Sequence, residues 1–153
     1  MIAFRVGIAQ LDVGGARLCS PVQAYVYQSA IARNETGPIE HLNRLAAYRP
    51  SEPAAYGFFS LKAEHLRAQI GTWQAFPTLV LMRVELCGRV IVHQKGYRSQ
   101  GLIIRALAFN SRLRSESMRA IEKRLSVPIT VYVTQDDYSI IHLDNPKLFW
   151  GFE

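Results

Sequence analysis

Apolar and polar residues alternate along one long stretch of this chain and recur at helical spacing along several short ones. Thr78–His93 and Tyr97–Phe109 read as two strands rich in Val, Ile and Leu, joined by a tight turn at Lys95-Gly96. Gly88 and Gly101 interrupt the two arms, which predicts bulges or the close approach of another backbone. Ile2–Ile8 alternates loosely as a first strand, and Val22–Ile31, with Tyr25 and Tyr27, reads as a second. Asp12-Val13-Gly14-Gly15 is expected to turn. Pro38 opens a short helix carrying Ile39, Leu42 and Leu45, and two prolines within Arg49–Pro53 stiffen the loop that follows. Gly57-Phe58-Phe59 is a short strand or bend. Ser60 is then the expected N-cap of a helix marked by Leu61, Leu66 and Ile70. Met118, Ile121 and Leu125 form the apolar stripe of a helix within Arg112–Leu125. Short strands at Ile129–Val133 and Tyr138–Leu143 follow, with a turn at Asp136-Asp137.

Strands and helices interleave without the regular spacing of βαβ units, and no G-x-G-x-x-G follows a strand. The pattern therefore predicts an α+β domain: an antiparallel or mixed sheet built around the hairpin at about 78–109, with two or three short helices. One globular domain over residues 1–153 is expected, since about 100–200 residues make one domain. The final residues Leu148, Phe149, Trp150 and Phe152 form an apolar tail that is expected to dock on the body. The alternative is a patch for a protein partner or for a second copy of the chain.

Composition narrows the class. The 153 residues are 49% hydrophobic, 20% charged and 10% aromatic, which argues against disorder. The two cysteines, Cys19 and Cys87, are isolated, as in a protein of a reducing cytoplasm. Arg5 interrupts the apolar N-terminus, so a signal peptide is not indicated, and no apolar run approaches the roughly 20 residues of a membrane span. A cytoplasmic location follows as the expectation. No cofactor motif and no metal-ligand spacing appear, so neither a cofactor nor a metal is expected.

The charge is unevenly placed. The chain carries 18 Lys and Arg against 12 Asp and Glu, a formal net of +6. Between Arg83 and Arg124 lie ten basic residues and three acids, a net of +7, and the rest of the chain is close to neutral. Such a segment is an electrostatic footprint for the phosphates of nucleic acid or of a nucleotide. The plainer reading is a solvated helix face and an ordinary sheet face. No RNP signature or zinc-finger spacing accompanies it.

Alternation gives the first hairpin arm two faces. Met82, Val84, Leu86, Val90 and Val92 are expected to face the core. Arg83, Glu85, Cys87, Arg89, Ile91 and His93 face the other way, with Tyr97, Ser99 and Arg105 as neighbours across the hairpin. Arg83 and Arg89 offer planar forks of donors for phosphate or carboxylate. His93 changes charge near neutral pH, and Glu85 can orient an arginine. The tip adds Lys95, Tyr97 and Arg98. The candidate ligand-binding set is thus Arg83, Glu85, Arg89, His93, Lys95, Tyr97 and Arg98. Cross-strand ion pairing on a solvated face is the alternative.

Across residues 57–130 several motifs line up. Gly57-Phe58-Phe59-Ser60-Leu61-Lys62 is followed by Val84-Glu85-Leu86-Cys87-Gly88-Arg89-Val90, by His93 with Gly96-Tyr97-Arg98, and by Val127-Pro128. This series resembles a family of small bacterial proteins with a V-x-L-x-G-R-V strand, an H-x-x-G-Y-R turn and a late V-P after a helix. The family brings no activity with it, and Cys87 stands where its members more usually carry Trp. The order of a glycine-aromatic strand, a helix and a V-L-x-x-V-x-L strand is also similar to ADP-ribosyltransferase-like folds. That similarity implies a transferase using a nicotinamide nucleotide, with Arg5 and Tyr25 or Tyr27 in the first-strand role. The sequence departs from that pattern in lacking H-G-T and in having no Glu in Ile129–Val133.

Overall fold

The computed structural model describes residues 1–12, 15–20, 26–33, 58–67, 77–134 and 141–151. The expected helix after Pro38, the loop at Arg49–Pro53 and the Asp136-Asp137 turn lie outside them. Among the described residues, eight strands join in one mixed sheet. They are β1 (Ile2–Asp12), β2 (Gly15–Cys19), β3 (Ile31–Arg33), β4 (Phe58–Leu61), β5 (Leu79–Val92), β6 (Gly96–Asn110), β7 (Ile129–Thr134) and β8 (Ile141–Leu143). Among the described residues, the helices are α1 (Ser115–Leu125) and α2 (Pro146–Trp150), and residues 63–67 are also helical.

The β5–β6 hairpin is the spine. It closes through Gln94-Lys95, with the His93 amide donating to the Gly96 carbonyl at 2.8 Å. β1 pairs along the outer edge of β5, from Ile2 opposite Glu85 to Ile8 opposite Leu79. The other edge of β6 receives β4, then β3, then β7 in succession along its length. Among the described residues, only β7 runs parallel to its neighbour. That pairing is reached through α1, because a parallel connection needs a crossover. β4 also touches β1, through a single bridge between Phe4 and Leu61. The sheet therefore curls back on itself.

Two bulges allow that curl. The hairpin register shifts between Arg83 and Val84, and again between Cys87 and Val90. Gly88, at φ +72, takes a left-handed backbone that other residues rarely adopt. The sequence-level expectation of a bulge at this glycine is met.

Each face of the sheet carries a buried core. α1 covers one face, where Met82, Val84, Leu86, Leu102, Ile104, Phe58 and Tyr27 pack with Ile121 and Leu125. The opposite face carries a second core of Phe4, Leu61, Leu66, Leu79, Leu81, Ala106, Ala108, Tyr132 and Phe149. The expectation of one apolar and one solvated face on the first hairpin arm is corrected for its first half only; farther along, Glu85 is partly exposed in a cross-strand pair with Arg105. Leu79 and Leu81 already face this second core, and α2 arrives to cover it. Phe4 lies 5.5 Å from Phe149 and 5.2 Å from Trp150, centroid to centroid. Arg67 stacks on Trp150 at 4.3 Å. Leu148, Phe149 and Trp150 dock, as the composition of the tail predicts, and Phe152 lies outside the described residues.

Other local expectations shift. Ser60 belongs to β4, and the helical turn starts after Lys62, whose carbonyl accepts from the His65 and Leu66 amides at 3.0 Å. β1 continues past Ile8 into a hairpin with β2. Of the expected strand Val22–Ile31, residues 22–25 lie outside the described residues; Val26 makes an isolated bridge to Cys19, and among residues 26–33 the named strand is Ile31–Arg33. Among the described residues, no helix is long and apolar enough to cross a membrane.

Candidate functional site

The seven candidate residues are spread over three places. Arg83 stands on the α2 face, opposite Phe4 and Ala106. Its Nη1 donates to the Leu148 carbonyl at 3.3 Å, at the end of α2. A cation beside the last carbonyls of a helix is favourable even in a short one. Glu85, on the same face, is held by Arg105, with Nε donating to Oε2 at 2.7 Å. That hydrogen bond and the Arg105 charge hold the Glu85 carboxyl below its usual range. The bulge between Arg83 and Val84 makes Arg105 an extra residue in β6 and brings it to Glu85.

Five candidates sit near the hairpin tip, on different faces. Arg89 is exposed in the Gly88 bulge, and Lys95 is exposed in the connecting turn. Tyr97 faces the α1 side opposite Ser60, with the Lys62 ammonium 5.9 Å from its ring centre. His93 and Arg98 meet on the α2 side. Arg98 is only 3% exposed and stacks its guanidinium on Phe59 at 5.4 Å. His93 approaches the same ring at 6.3 Å, centroid to centroid. Burial, and then the Arg98 charge, push the His93 pKa below its ordinary value.

That shift has a definite sign. The folded protein resists protonating His93, whereas the unfolded chain takes the proton near pH 6.5. Stability contributed by neutral His93 is therefore complete above about pH 6.5 and is lost as pH falls toward the lowered folded value. Melting temperature is expected to drop between pH 7 and 5.5, and the drop to shrink in a His93→Gln variant. An equal drop in both proteins would assign the effect elsewhere. Glu85 does not interfere, because its lowered carboxyl titrates below that window.

The rest of the basic segment lies on α1 and the turn before it. Ser117, Ile121 and Leu125 turn inward, toward the β1–β2 hairpin. Arg112, Arg114, Arg119, Lys123 and Arg124 remain exposed. Ion pairs among the described residues are Glu64–His65 and Glu85–Arg105, so Arg114, Arg119, Lys123 and Arg124 carry unneutralised charge. The 15 residues of β6 separate this group from the tip, about 45 Å along the strand path.

Sequence reasoning overlooked one further group. Arg5 shares the α1 face with Ala3 and Ala9. Its Nε donates to the Tyr27 hydroxyl at 3.1 Å, and its Nη1 donates to the Phe59 carbonyl. Arg5 and Tyr27, singled out only through the ADP-ribosyltransferase likeness, are thus in contact. β7 supplies no glutamate, and Glu85 lies on the opposite face of the sheet. The available signal was an arginine set among small residues, Ala3-x-Arg5-x-Gly7-x-Ala9, on one strand face. No group of three or more His, Cys, Asp or Glu able to hold a metal occurs among the described residues. No protein-family model, curated protein or solved structure matches the chain.

Proposed function

We propose that the protein is a small basic binding module whose α1 surface contacts the phosphates of nucleic acid. The observation that carries this reading is the set of unneutralised cations on α1 and its lead-in. Arg114, Arg119, Lys123 and Arg124 face solvent, and the helix itself carries two acids, Glu116 and Glu122. Eleven helical residues extend about 16 Å, enough to lie along several phosphates. Arg83, Arg98 and Arg105 are engaged elsewhere in the fold and belong to its internal packing and pairing. With its lead-in, α1 carries Arg112, Arg114, Arg119, Lys123 and Arg124 against Glu116 and Glu122, and such a surface gains from a polyanion, because each neutralised phosphate releases counterions.

Fluorescence anisotropy with labelled single-stranded DNA, duplex DNA and RNA tests the reading. Four phosphate contacts on a duplex give a log–log salt slope of about −3.6, so affinity falls on the order of a hundredfold between 50 and 200 mM salt. Saturable binding with that dependence is expected. Absence of binding at 50 mM overturns the reading, and binding of a mononucleotide alone would move it to a small-ligand site.

A further inference from the structure

We propose a second, inward binding site for a small oxoanion, a phosphate or carboxylate group, centred on Arg5, Ser60 and Ser99. It is independent of the α1 surface. Arg5 is half-buried, and both of its hydrogen-bond partners, the Tyr27 hydroxyl and the Phe59 carbonyl, are neutral. The Phe58 ring lies 5.5 Å from its guanidinium carbon. No carboxylate of the described residues pairs with it. Withdrawing a guanidinium from water without a counter-charge is costly, and these dipoles offset only part of that cost. Two of its five N–H groups are spoken for, leaving the rest of the fork for an oxygen ligand.

The neighbouring hydroxyls supply the second, independent observation. Ser60 and Ser99 are both 0% exposed, and neither Oγ has a hydrogen-bond partner. Strand register places them on the face that Arg5 occupies. Phe4 bridges Leu61, so the next residues of this antiparallel pair, Arg5 and Ser60, stand side by side. Phe58 pairs with Ser99, which sets that hydroxyl beside the ring under the guanidinium. Buried hydroxyls without partners are rare in native structures. Here two of them share a sheet face with an uncompensated cation. A planar fork with two O–H donors matches a tetrahedral or planar oxoanion, which accepts several hydrogen bonds at once.

Isothermal titration calorimetry on the full chain at constant ionic strength, with inorganic phosphate and acetate in separate arms, tests the site. Saturable binding of one probe is expected, and the preferred probe names the anion class. Arg5→Lys keeps the charge but loses the fork, and is expected to weaken binding at least tenfold. Ser60→Ala and Ser99→Ala should each weaken it several-fold. These serine variants should leave the ligand-free melting temperature unchanged or raised, since each removes an unsatisfied buried hydroxyl. Neutralising Arg114, Arg119 and Lys123 should leave this binding intact. The proposal is overturned if neither probe saturates at millimolar concentration. Binding that survives both serine substitutions, or that disappears with the α1 cations, overturns it equally.

Discussion

Replacing Gly96 by Ala is expected to destabilise the protein by at least about 3 kcal/mol, seen as a fall in melting temperature of roughly 10 °C. Gly96 begins β6 and is buried against β4, opposite Leu61. A Cβ added there would press far inside contact distance of the Ser60 carbonyl oxygen and lie 3.0 Å from Phe59 Cζ. The first obstacle is backbone, which no rotamer change can clear. β4 would have to move off β6, loosening the pairs from Phe58–Ser99 to Leu61–Gly96. The same shift would part Phe59 from Arg98 and His93 on one face, and Ser60 from Arg5 on the other. Thermal or denaturant unfolding measures the effect, and a loss below about 1 kcal/mol would mean that β4 is not clamped to β6 as described.

Phe149→Ala has a comparable expected cost, about 3–5 kcal/mol. Phe149 is fully buried, although it lies in a helix of only five residues. Its ring touches Phe4 at 5.5 Å and Trp150 at 5.0 Å, and its core also holds Leu66, Leu79, Leu81 and Tyr132. So short a helix is not stable alone. Asn145 caps it, its side chain accepting from the Leu148 amide at 3.0 Å, while Arg83 binds its far end through the Leu148 carbonyl. Removing the ring leaves a cavity and frees the element covering the second core. Chemical denaturation of the variant reads the loss. Unchanged stability would show that the second core holds without α2.

How far the fold was legible follows from how local its causes are. The hairpin was readable because alternation, β-branched composition and the Lys95-Gly96 turn all act within 35 residues of sequence. Its observed arms, Leu79–Val92 and Gly96–Asn110, differ from the expected ones by a residue or so at most ends. The α1 stripe was readable for the same reason. The second core was not. Leu79 and Leu81 look like the start of an apolar run, and only α2, some seventy residues later, shows what they pack against. Arg98 illustrates the same limit. Beside His93 and Lys95 it reads as a surface cation, but the ring it stacks on, Phe59, arrives on a strand from nearly forty residues earlier. Ser60 has the right chemistry and spacing for an N-cap, yet pairing with Tyr97 keeps it in the sheet. Arg5 is the clearest case: its environment is assembled from β1, β4 and the segment around Tyr27, which no single window of sequence contains.

The division of the basic segment also has a physical origin. Two bulges turn the hairpin so that Arg83 and Arg98 face the α2 core while Arg105 reaches Glu85. What remains outward is the α1 group, together with Arg89 and Lys95 at the distant tip. The proposed phosphate contacts therefore fall on α1 and its lead-in.

The most direct measurement is the salt slope of duplex-DNA affinity for the unaltered protein beside the Arg114→Ala, Arg119→Ala, Lys123→Ala triple variant. All three side chains are exposed, so stability should be nearly unchanged. The account predicts that the magnitude of the slope falls by about three, roughly 0.9 for each lost phosphate contact, with affinity at low salt falling in parallel. An unchanged slope in a folded triple variant would contradict it.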